Sequence, residues 1–139
     1  MFPGAAAGQT LNINADSDGS GSGTFTIVAS KTVSSTNGVL SVTAADIQLQ
    51  GGLNSGTAVI NVHTTNQRTI GIGMTSLNMD IEHAEVQRVT AAGLVVGKTV
   101  TNKDIKVAGV TATHSNSITG TVTLVAVVDD SQVVFETTA

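Results

Sequence analysis

The chain has 139 residues, enough for one domain with a real core, and a formal net charge of −4. Its six basic residues stand singly, which excludes the concentrated positive footprint that nucleic acid requires. Cysteine is absent, so disulfide and thiolate–metal frameworks are excluded, and no apolar run approaches the roughly 20 residues that span a bilayer. Charged residues make up 12% of the chain, about half the usual share, yet 40% of residues are hydrophobic. Thr, Ser, Asn and Gln must therefore cover most of the surface. With three Phe and no Trp or Tyr, the core has to be narrow and built from Val, Ile, Leu and Ala.

In chain order, residues 1–9 read as a disordered or N-terminal tail, and residues 10–139 as one domain. The opening Met1-Phe2-Pro3-Gly4-Ala5-Ala6-Ala7-Gly8 lacks a positive n-region and an apolar core, so it is not a signal peptide. Period-2 alternation then predicts short strands with one buried face. Leu11 and Ile13 alternate with Asn12 and Asn14, then Phe25, Ile27 and Ala29 with Thr24 and Thr26. Leu40, Val42 and Ala44 follow, then Ala58, Ile60 and Val62, which leave Asn61 and His63 outside. Turn residues punctuate these strands at Gly19–Gly23, Asn37-Gly38, Gly51-Gly52 and Asn54-Ser55-Gly56.

A phrase recurs: Asp46-Ile47-Gln48-Leu49, Asp80-Ile81-Glu82-His83 and Asp104-Ile105-Lys106-Val107, the last two 24 residues apart. A repeat of that length in a strand-rich chain predicts stacked coils, about six in all, rather than an antiparallel sandwich. If 24 residues make one coil, Glu82 lies beside Lys106. The spacing of Glu82, Glu85, Val86, Gln87, Arg88 and Val89 predicts a short helical turn near residues 82–89, followed by the strand Leu94-Val95-Val96. Val122, Leu124 and Ala126 form a late strand, and strand-like sequence resumes at Gln132–Glu136. Neither end carries a recognisable cap, so the chain is expected to stack end to end with copies of itself or to continue in a longer chain.

The run Arg68-Thr69-Ile70-Gly71-Ile72-Gly73, then Ala84-Glu85-Val86-Gln87-Arg88-Val89-Thr90-Ala91-Ala92-Gly93-Leu94-Val95-Val96-Gly97, resembles repeats of filamentous-haemagglutinin-like exoproteins. Asp104–Val110 followed by Gly120–Leu124 resembles them too, and the likeness runs from about Thr10 to Phe135. It implies an all-β right-handed parallel β-helix, a β-solenoid. It further implies a shaft segment of a large extracellular or cell-surface adhesin. It supplies no catalytic residue, and the family's N-terminal secretion domain is not found here.

Among candidate sites, Asp16 and Asp18 open a glycine-rich loop as calcium loops do, but Ser20 holds the third ligand position and no acid closes the loop. The expectation is a polar coil corner, with no cofactor. His63, His83 and His114 show no metal-ligand spacing. Asp129 and Asp130 would face opposite sides of a strand, which leaves Asp80 and Asp104 as the one acid pair able to stack. Thr24/Thr26, Thr99/Thr101, Thr111/Thr113 and Thr121/Thr123 suggest an ice-binding array, though at irregular separations. The expectation is a non-catalytic structural or adhesive shaft segment, not an enzyme. Partners are further copies of the chain and a host-surface or glycan target. The alternatives are a β-helix that binds or degrades polysaccharide, and a Thr-array ice binder.

Overall fold

Strands with one aliphatic and one polar face need two things: a place to bury the aliphatic face, and partners for their backbone edges. The chain meets both needs by returning repeatedly to the same sheets, as the computed structural model of residues 6–137 shows. It runs through β1 (Leu11–Asn14), β2 (Thr24–Ile27) and β3 (Thr32–Ser34), then β4 (Leu40–Thr43), β5 (Asp46–Leu49) and β6 (Gly52–Asn54). Next come β7 (Val59–His63), β8 (Arg68–Gly73), β9 (Met79–Glu82), the helical turn α1 (His83–Val86) and β10 (Val89–Thr90). The remainder is β11 (Gly93–Gly97), β12 (Asn102–Ala108), α2 (Ala112–Ser115), β13 (Val122–Val125) and β14 (Val133–Glu136).

Every strand pairing among the described residues is parallel. The largest sheet has the order β1-β4-β7-β11-β13; a second runs β14-β12-β8-β9, a third β10-β6-β3, and β2 pairs with β5. In the largest sheet Leu11, Leu40, Ile60, Leu94 and Val122 form one inward column, and Ile13, Val42, Val62, Val96 and Leu124 the next. In the second sheet Ile70, Ile105 and Val133 stack in line, as do Ile72, Val107 and Phe135. These columns make the aliphatic core that the composition requires.

The expected helical turn is α1, where the Glu82 N–H donates to the Glu85 carboxylate at its start. A second turn, α2, was not expected. Residues 1–5 of the expected tail lie outside the described residues. Gly8, within it, donates to the Thr36 carbonyl at 3.2 Å.

The 24-residue offset is not a structural repeat. Lys106 lies beside Gly71 and Val134, and Glu82 beside Gly73, so β8 separates the two Asp-Ile copies. Lys106 instead pairs with Glu136 at 2.9 Å. The cause is an extra strand. β9 doubles back beside β8 after only five residues, 74–78, where a parallel return ordinarily takes about a dozen or more. Asp80 holds this tight return: its carboxylate accepts the Leu77 N–H at 3.0 Å and the Thr75 hydroxyl at 2.7 Å. A Cβ at Gly71 would overlap Thr75 Oγ1, so only glycine lets the returning segment pass.

Burial grades along the columns. Leu40 and Ile60 are 0% exposed, whereas Val122, in the same column, is 47% exposed. Ile60→Ala is therefore expected to cost about 2–5 kcal/mol, as aliphatic truncations in cores do. Val122→Ala is expected to cost about 0.5 kcal/mol or less, in the range of surface changes. Urea unfolding of the two variants checks this contrast.

Candidate functional site

The loop after β1 is a lock. Asp16 is buried, and its carboxylate accepts the Thr65 hydroxyl, the Gly21 N–H at 3.1 and 3.2 Å and the Ser20 hydroxyl at 3.3 Å. These donors tie the loop to the corner between β7 and β8. The Thr65 hydrogen bond leads in holding the Asp16 pKa below its ordinary value, against the opposing effect of burial, with Gly21 and Ser20 assisting. Asp18 is exposed and accepts the Ser20 N–H at 3.1 Å, so Ser20 bonds to both candidate calcium ligands.

Of the three histidines, His63 lies on β7 and the other two come together. His83 opens α1, and His114 lies within α2 rather than at a strand end; their rings sit 4.8 Å apart. His114 Nδ1 accepts the Thr111 N–H at 3.1 Å, a bond that closes the start of α2. No group of three or more His, Cys, Asp or Glu among the described residues is arranged to hold a metal ion.

The acid pair Asp80/Asp104 does not form, because β8 intervenes. Each carboxylate serves backbone instead: Asp80 accepts the Leu77 N–H at 3.0 Å, and Asp104 accepts the Gln132 N–H at 3.0 Å. Asp129 and Asp130 lie in a turn rather than a strand. The sequence pattern did not single out a recess of about 410 Å³ lined by Asp46, Asp80, Glu82, Glu85 and Arg88. Within it Glu85 is buried, with Oε1 accepting the Leu49 N–H at 2.6 Å and Oε2 the Glu82 N–H at 2.9 Å. Burial pushes its pKa up against the pull of those two bonds. Arg88 spends its guanidinium on the Leu49 and Ala84 carbonyls, both at 2.9 Å. These bonds hold the chain together around the recess.

The four Thr pairs lie on β2, on the turn after β11, around α2 and around β13, so no single sheet carries more than one of them.

A concavity of about 550 Å³ lies on the outer face of the largest sheet. Asn12, Ser41 and Asn61 form one outward column, and Asn14, Thr43 and His63 the next. Asn61 donates to Ser41 Oγ at 3.1 Å. His63 Nδ1 lies 3.4 Å from the Thr64 carbonyl, which assigns it the proton and leaves Nε2 to accept the Thr43 hydroxyl at 3.2 Å. Burial holds the His63 pKa below its ordinary value, with the Lys98 charge adding to the effect and the Thr64 bond opposing it. Lys98 and Thr99 rise over one side of the groove, and Val95, Gly97 and Val125 give it an apolar end. The same turn holds Val100 at φ 85°, where a β-branched residue costs about 1–2 kcal/mol. Such strain concentrates at functional sites. The sequence reading placed His63 outside but missed the groove, whose residues come from five distant segments.

Among the described residues no helix is long and apolar enough to cross a membrane. The chain matches no known protein family, no curated protein and no solved structure.

Asp16 sets an acid limit. A carboxyl whose folded pKa is lowered stabilises the fold fully above its unfolded value, and that stability is lost as pH falls through the folded pKa. Asp16→Asn is expected to melt below the parent at pH 7. The gap should close as pH drops below the ordinary aspartate range. Thermal melts by circular dichroism across pH 2–7 test it.

Proposed function

We propose that the chain is a right-handed parallel β-helix serving as a non-catalytic structural or adhesive shaft segment of an extracellular or cell-surface protein. The observation that carries this reading is the continuous parallel register, whose core columns run on to an uncovered end. Leu40 and Ile60 are sealed, yet Val133 is 40% and Phe135 73% exposed on the last strand, beside an apolar recess of about 330 Å³. One more layer of strands would seal that recess and pair the free edge of β13. The largest sheet offers five strand positions, and the sixth position on the face made by β2, β5, β9, β8, β12 and β14 is the inserted β9. The non-catalytic reading draws support from the carboxylates, which are engaged with backbone amides at the corners.

Multi-angle light scattering tests the shaft reading. The parent chain is expected to associate end to end as its concentration rises, and Phe135→Asp to abolish the association. A parent chain that stays strictly monomeric at high concentration counts against it.

A further inference from the structure

The groove on the largest sheet combines neutral polar side chains with a lysine. The chain carries ten acidic residues, and none lines this concavity. Its charged side chain is Lys98, which is exposed, whereas the one ion pair among the described residues joins Lys106 to Glu136. The floor supplies amides and hydroxyls from Asn12, Ser41, Asn61 and Thr43 on strands about 4.8 Å apart. The far end is the flat, apolar surface of Val95, Gly97 and Val125. At about 550 Å³ the space falls within the roughly 300–1,000 Å³ of ligand sites.

From this we infer that the outer face of the largest sheet binds a carboxylate-bearing oligosaccharide, a uronic-acid polymer. Lys98 meets one carboxylate, the amides and hydroxyls meet the sugar hydroxyls, and the apolar end meets the C–H face of a ring. A single lysine meets one carboxylate, and the neighbouring carboxylates of the polymer face solvent. Nucleic acid would require a row of cations to neutralise successive phosphates. Alternating donors and acceptors in register, one step per strand, suit a repeating hydroxylated chain. This inference rests on the adhesive part of the proposed function and names the ligand class.

The test is an NMR titration of the isotope-labelled chain with oligogalacturonate at low salt, with methyl-esterified oligogalacturonate and a neutral cello-oligosaccharide in parallel. Oligogalacturonate is expected to shift the amides of Asn12, Ser41, Asn61 and Lys98 and the ring of His63. Lys98→Gln, on an exposed turn, is expected to weaken binding about tenfold or more, as the loss of one charge-assisted hydrogen bond does. Asn61→Leu, checked for an unchanged spectrum elsewhere, is expected to weaken it as well. Equal binding of the free acid and the ester overturns the carboxylate assignment. Shifts outside the groove, or none at millimolar sugar, overturn the site. Light scattering without sugar keeps the two readings apart: a monomer that binds the sugar retains the groove and sinks the stacked shaft, and an associating chain that ignores the sugar does the reverse.

Discussion

Parallel register is the constraint from which the rest of this structure follows. Once Leu40 lies over Ile60, each neighbouring residue has its partner fixed, and the period of two sends every second side chain to one side. The inward columns Leu11-Leu40-Ile60-Leu94-Val122 and Ile13-Val42-Val62-Val96-Leu124 then assemble without any large side chain at the centre. Each sealed Leu, Ile or Val contributes about 1.5–3 kcal/mol of transfer free energy. Only stacking in line allows so narrow an interior to be dry. A chain with three Phe and no Trp or Tyr is suited to this arrangement and poorly suited to a wide core.

Stacking strands in parallel leaves a difficulty at the corners, where backbone amides have no neighbouring strand. An unpaired buried amide costs about 1–3 kcal/mol, and this chain meets that cost with side chains. Asp16, Asp46, Asp80, Asp104 and Glu85 each accept backbone N–H groups. Asn102, wholly buried, accepts from the Lys98 N–H and donates to Thr64 Oγ1. Ser35 and Ser55 play the same part at successive corners, each donating to the carbonyl three residues on. The few acids of the chain are thus concentrated where they complete the backbone. The grouped carboxylates in the recess by Glu85 are among them.

The strands were legible in the sequence because alternation is a local property. Leu11–Asn14, Leu40–Thr43 and Val59–His63 lie where Leu11/Ile13, Leu40/Val42 and Ile60/Val62 place them. The short helical turn was legible for the same reason. Register was not, since it depends on segment lengths that vary from one return to the next. The conspicuous Asp-Ile phrase misled because β9 had been inserted beside β8, which moved Asp80 and Asp104 two strands apart. A better signal was present at an offset of 20, where Val33-Ser34-Ser35 and Val39-Leu40-Ser41-Val42 correspond to Leu53-Asn54-Ser55 and Val59-Ile60-Asn61-Val62. Its identities are fewer, but its apolar positions and its corner serine coincide. Acidic residues serving backbone amides stand out to the eye, and the aliphatic columns that set the register do not.

The same logic explains why the groove was invisible. Outward positions of a parallel stack carry no obligation to the core, so Asn12, Ser41, Asn61 and His63 fit equally well as a solvated surface or as a site. What separates the two is the company each residue keeps across strands, and that is set by register alone. His63 gains its meaning from Thr43 one strand away and from Lys98 on a turn 35 positions later in the chain. The turn that carries Lys98 also holds Val100 at a φ that a β-branched residue resists, although nothing in the core demands it there, since Val100 is 76% exposed. Strain kept on the surface beside a polar concavity that holds Lys98 and no acid marks this face among the outward positions. In this architecture the interior decides that the chain folds, and the outward columns decide what it can hold.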